Sequence, residues 1–234
     1  MKHFSRLVLV LAFAASTIAV GGAQQPSQTQ TDVYHVHFVK AVPGQAAELG
    51  ALVQKPNPQA PMPEHFIVLR HQQGDDWDYC VIQHLGAKAT VDTAPPTTPD
   101  PATDMRAWHS DTFTSGPAWP EFAKAMGITT GAPGTPGAVY SVAIWRPVPG
   151  HRMELQQLLG QPTPGSKVQT GIVVLQHLEG GPWSFLALTR YNSWQDFATS
   201  ETESATATGQ DDWAKVRQFS TYHHDTLADR LAPK

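Results

Sequence analysis

The chain has 234 residues, 16 of them basic, 20 acidic and 11 histidine, for a formal net charge of −4. With that balance and no basic run, nucleic acid and anionic membrane surfaces are not expected partners. Cys80 is the single cysteine, which rules out an intramolecular disulfide, and its place in an apolar run predicts a buried, inert thiol.

Lys2 and Arg6 precede an uncharged, mostly apolar run from Leu7 to Val20, followed by Gly21-Gly22-Ala23. Fourteen helical residues span about 21 Å, too short for a bilayer core of about 30 Å, so residues 1–23 read as a secretory signal cut after Ala23. Residues 24–32 follow as a flexible, solvated tail. The mature chain keeps 14 basic against 20 acidic residues, a net charge of −6, and is expected free in a periplasm or outside the cell, with no membrane partner after cleavage.

Val33 to Lys40 alternates, Tyr34, Val36 and Phe38 opposing His35, His37 and Val39, and predicts a first strand. A Val42-Pro43-Gly44 turn leads into Gln45 to Val53, where Leu49 and Leu52 fall at helical spacing, and Pro56 and Pro58 end that helix. The apolar runs His65 to His71 and Trp77 to Leu85 make a hairpin across a polar turn. A Pro/Thr loop from Ala94 to Ala102 and a helix through Met105 to Phe113 complete a unit over residues 33–126. Residues 127–137, small and punctuated by Gly and Pro, form a linker.

The series then recurs over residues 138–234. At a constant offset of 106, residues 33–85 match residues 139–191 at sixteen positions without a gap, among them Tyr34/Tyr140, Gly44/Gly150, Leu49/Leu155, His71/His177 and Trp77/Trp183. Average composition would give about three or four matches. A unit of about a hundred residues is too long for a solenoid repeat, so two copies of one small domain are implied. The second copy continues with a helix opening at Trp194 and a longer one from about Asp211 to Leu231. A fainter echo at offset 114 sets Trp108-His109-Ser110-Asp111-Thr112-Phe113 against Tyr222-His223-His224-Asp225-Thr226-Leu227, on the last predicted helix of each copy.

Strand, helix, hairpin and helix in two copies, with the Val-Pro-Gly turn after each first strand and the run Ser193-Trp194-Gln195-Asp196-Phe197 after the third strand of the second, resembles the dimeric α/β barrel superfamily. That superfamily includes the antibiotic-biosynthesis monooxygenases. The resemblance implies an α+β fold of two tandem ferredoxin-like units packed as a pseudo-dimeric barrel. Such a unit normally closes with a fourth strand, and no β-rich segment follows either second helix. With helices covering the Tyr34, Val36 and Phe38 side, the opposite faces of the two sheets are expected to enclose a cavity, where ligands of the superfamily sit.

Three functions follow from this reading: binding of a small apolar or aromatic ligand between the sheets, a cofactor-free or haem-dependent oxidation of monooxygenase type, or a structural, oligomerising protein whose cavity is filled by its own side chains. A homo-oligomer fits any of them. His35 and His37 form an H-x-H on one strand face, about 7 Å apart, a spacing two ligands of a single transition metal can share; semi-exposed sheet histidines are the alternative. Trp145 has the parity of the expected cavity face, and Arg190 and Asn192 lie near one strand end where polar ligand contacts could form. His109 and His223 are the catalytic candidates, as proton carriers or axial haem ligands, against the alternative of satisfied core histidines. His71 and His177 are expected to cap their hairpin turns through side-chain hydrogen bonds. No Gly-rich phosphate loop, H-E-x-x-H, C-x-x-C or G-x-S-x-G occurs, which sets aside nucleotide enzymes, zincins and α/β hydrolases. No metal or haem is the favoured expectation; the reaction and ligand stay open.

Overall fold

The computed structural model describes residues 28–87, 103–128, 135–163, 166–179, 182–206 and 212–233. The predicted signal, its cleavage point, the Pro/Thr loop and the middle of the predicted linker lie outside the described residues.

The first copy contributes β1 (Asp32–Ala41), α1 (Ala46–Val53), β2 (Phe66–Gln73), β3 (Tyr79–Ala87), β4 (Arg106–Gly116) and α2 (Trp119–Ala125). The second contributes β5 (Val139–Pro147), α3 (Arg152–Leu159), β6 (Gln169–Glu179), β7 (Phe185–Tyr191), α4 (Trp194–Thr206), α5 (Asp212–Phe219) and β8 (Ser220–Ala232). All the pairings are antiparallel, and the strands close into a barrel in the order β1-β3-β2-β8-β5-β7-β6-β4. Two ferredoxin-like units thus share one barrel, and each has its fourth strand. Residues 106–113 and 220–231, expected in helices, are extended; only residues 212–219 of the long predicted helix are helical. The two echoes are registered alike: Val39 pairs with His109 and Trp145 with His223, each partner displaced by its copy's offset.

Side-chain parity places Tyr34, Val36 and Phe38 inside the barrel with Tyr140, Val142, Ile67, Leu69 and Leu186, in one core drawn from both copies. The expected faces are therefore exchanged. The helices lie outside, α1 over Val39, Phe66, Val68 and Tyr79, and α3 with α5 over Ala143, Trp145, Val174 and Phe185. An eight-stranded barrel has an interior just wide enough to be filled by large side chains, and the outer faces take the amphipathic helices. Leu49 and Leu155, matched and fully buried beneath these helices, contribute about 2 kcal/mol apiece. The turns into α1 and α3 use matched glycines, Gly44 at φ 86° and Gly150 at φ 88°, a left-handed conformation that favours glycine.

One end of the barrel is plugged by α2. Phe122 and Met126 are fully buried, Phe122 stacks on Tyr34 at 5.0 Å, and the Tyr34 and Tyr140 hydroxyls donate to the carbonyls of Pro117 and Met126 at 2.6 and 2.9 Å. Gly171 lets α2 close on β6, since a Cβ there would meet the Ala125 carbonyl oxygen at 1.8 Å. Above the plug, Asp32 accepts from the Trp119 amide at 3.0 Å and contacts His84 Nε2 at 2.8 Å, and His84 Nδ1 lies 3.1 Å from His65 Nδ1. The tail is less free than its sequence suggests: Gln28 exchanges hydrogen bonds with the Ile172 carbonyl and the Val174 amide of β6.

Candidate functional site

At the other end the barrel stays open. Phe38, Trp77, Trp108, Val142, Ile144 and Trp183 wall a cavity of about 150 Å³, and Asp75, Ser110, His224 and Thr226 bring polar groups to it. Phe38 and Ile144 occupy matched positions near the ends of the two first strands, while Trp77 and Trp183 lead into the third strands after the two hairpin turns. The pocket is thus built on the pseudo-twofold of the duplication. An apolar cavity of about 150 Å³ accepts a single aromatic ring. His224 Nε2 is buried without a hydrogen-bond partner and lies 3.7 Å from Asp75 Oδ2. A few polar groups on an apolar wall are the usual means of orienting a small ligand.

A second cluster lies on the outer face where β1 meets β4. His35 Nε2 contacts Asp111 Oδ1 at 2.8 Å, His109 Nδ1 contacts Asp111 Oδ2 at 2.5 Å, and the His35 and His37 rings stack at 6.1 Å. Burial, partly opposed by Asp111, pushes His37 down to about 4, so it is neutral near pH 7. Burial would raise Asp111, but the hydrogen bond from His35, the attraction of His37 and His35 once they are protonated and the bond from His109 hold its carboxyl below the usual carboxylate range. One ligand atom from each of His37, His109 and Asp111 lies within 4.8 Å of the others.

No protein-family model matches the chain, and no curated protein matches it in sequence. Solved structures match it over most of its length. A candidate monooxygenase from Fusobacterium nucleatum superposes with a TM-score of 0.60 at 6% identity, over 87% of this chain and 94% of the other. An anthrone oxidase-like protein gives 0.54 at 13% identity, over 87% and 93%, and a candidate monooxygenase from Lactobacillus acidophilus 0.53 at 8%, over 86% and 94%. The chain has the dimeric α/β barrel fold.

Within this barrel the residues singled out from sequence separate. His35 and His37 face outward, so they do not line the interior; their H-x-H is nevertheless joined by His109 and Asp111 across the strand pair. Trp145 is also on the outer face, beneath α3 and stacked on His223 at 4.7 Å. Arg190 and Asn192 hydrogen-bond each other at 2.7 Å at the plugged end, far from the pocket, where Arg190 packs against Gly127. His109 and His223 sit on strands, each beside the aspartate two residues on, at 2.5 and 3.3 Å. On a helix that pair would diverge; on a strand it shares a face. His71 and His177 pack on Trp77 and Trp183 at 5.6 and 5.3 Å, and backbone bonds from His71 to Asp78 and from His177 to Ser184 close the hairpins instead of side chains. Cys80 is fully buried in the barrel, which pushes its thiol up and leaves it unreactive.

A haem does not fit the barrel pocket or the surroundings of His223. A porphyrin of four pyrrole rings exceeds a one-ring cavity several times over, and His223 is stacked flat on Trp145 and turned to Asp225. Sequence reasoning missed Phe38, Trp108, Ile144 and His224 as pocket residues. The available signal was the echo at offset 114, which sets Ser110 against His224, both at the pocket.

Proposed function

We propose that the protein, exported by its signal sequence, binds a small apolar or aromatic molecule at the open end of its barrel. The carrying observation is the pocket itself: apolar and aromatic walls from both copies, a one-ring volume and His224 Nε2 without a hydrogen-bond partner. Titration with phenol, followed by tryptophan fluorescence excited at the red edge where phenol does not absorb, tests this, because Trp77, Trp108 and Trp183 form the wall. Saturable quenching is expected, and Ile144→Phe, which fills the pocket, should weaken it about tenfold or more. A wild-type protein that shows no quenching would favour a barrel filled by its own side chains.

Oxidation of the bound ring is the second reading, supported by the likeness to barrels described as monooxygenases and as anthrone oxidase-like. Oxygen uptake that depends on bound phenol and is lost in Ile144→Phe separates it from binding alone.

A further inference from the structure

We propose that His37, His109 and Asp111 form a binding site for a divalent first-row transition ion on the outer face of β1 and β4, separate from the barrel pocket. The donor set is two imidazoles and one carboxylate, a combination that leaves coordination positions open and suits iron, cobalt or zinc in preference to calcium or magnesium. Strand geometry assembles it. His37 pairs directly with Asp111, and His109 precedes Asp111 by two residues on the same face of β4.

Metal–ligand bonds of about 2.1 Å in tetrahedral geometry place ligand atoms about 3.4 Å apart. The three atoms, all within 4.8 Å, therefore need only side-chain rotation to close on an ion. His35 supplies the supporting contact, holding Asp111 Oδ1 at 2.8 Å so that the carboxylate is oriented before metal arrives. His109 and Asp111 are 47% and 38% exposed, so the ion has a path from solvent. Arg106 is the opposing feature: its Nη1 lies 3.5 Å from His37 Nε2 and places a positive charge beside the site.

The second copy provides an internal control. It keeps the histidine and aspartate as His223 and Asp225, but Ser141 and Ala143 stand where the first copy has His35 and His37. One ion per chain is therefore expected, not two.

The experiment is calorimetric titration of tag-free protein with ZnCl2, with cobalt(II) absorption as a second readout. Wild type should bind one equivalent saturably. His37→Ala, His109→Ala and Asp111→Asn should each abolish that binding with far-UV circular dichroism unchanged, and His35→Ala should weaken it about 10- to 100-fold. Arg106→Gln should tighten it, and His223→Ala should leave it unchanged. Absence of saturable binding by wild type, or binding that survives in both His37→Ala and His109→Ala, overturns the proposal. Should the single variants lose structure, the cobalt spectrum of wild type decides, because nitrogen ligation gives visible bands that the aquo ion lacks.

Discussion

The two copies of the repeat share one register and differ in what they place on it. Inside the barrel they agree: Tyr34 and Tyr140, Val36 and Val142, Leu69 and Leu175, Trp77 and Trp183 stand at matched positions of one core. Outside, the seat of Trp145 in the second copy is Val39 in the first, and Ala143 replaces His37. At the plugged end, His84 of the first copy corresponds to Arg190 of the second, paired respectively with Tyr34 and Tyr140 across the strands. Residues that must mesh across the pseudo-twofold are constrained together, whereas each outer face answers only to its own helices and solvent.

The clearest break in the symmetry is α2, which follows β4 in the first copy and has no described counterpart after β8. Phe122→Ala should give the largest loss, about 3–5 kcal/mol, because it empties a fully buried ring site stacked on Tyr34. Chemical denaturation would measure it. A loss under about 1 kcal/mol would mean that the barrel is closed without its plug.

Much of this is legible in the sequence. The repeat, the first three strands and first helix of each copy, the hairpins and the inert Cys80 all followed from periodicity and turn residues. The fourth strands did not, and the reason is physical: β4 fills the barrel with Ser110, Thr112 and Thr114, whose polarity hid the alternation. Thr112 and Thr114 are buried only because their hydroxyls donate to the carbonyls of Glu179 and Tyr34, at 2.5 and 3.3 Å, partners distant in sequence. Val216 and Phe219 of α5 and His223 and Leu227 of β8 sit at a helical spacing that runs across the true boundary at Ser220. Which face of β1 turned inward was equally hidden, since both faces of a barrel strand are covered and only closure decides which receives the aromatics. The outer cluster was half legible: H-x-H named His35 and His37, and recognising β4 as a strand was needed to add His109 and Asp111.

Exchanging outer-face residues between the copies sharpens the comparison. Trp145→Val, which installs the residue found at Val39, should cost about 2–4 kcal/mol by removing an indole 7% exposed among Leu155, Phe185 and Val216. The reverse change, Val39→Trp, should also destabilise, by overpacking beneath α1, by about 1–3 kcal/mol. Thermal melts of both variants check this. Tolerance of both would show that the helices adjust to either face, and that the outer walls are less specific than their burial indicates.

The smallest expected effect is the acid response of the plugged end. Burial lowers His84, with its Asp32 hydrogen bond opposing, and burial lowers His65, with Glu64 opposing. Both therefore bind protons less readily folded than unfolded, so the stability they support is complete above the ordinary histidine range and declines as pH falls below about 6.5. Their Nδ1 atoms, 3.1 Å apart, can share one proton but not hold two without repulsion. His84 also sits on the Asp32 carboxylate that accepts the Trp119 amide, which couples its protonation to the seat of α2. At the matched position the second copy has Arg190 in place of a histidine. His84→Gln should therefore flatten the melting temperature between pH 7 and pH 5 relative to wild type, while Arg190→Gln should leave that slope as it is. Equal slopes in wild type and His84→Gln would assign the acid response elsewhere and make the two ends of the repeat alike in this respect.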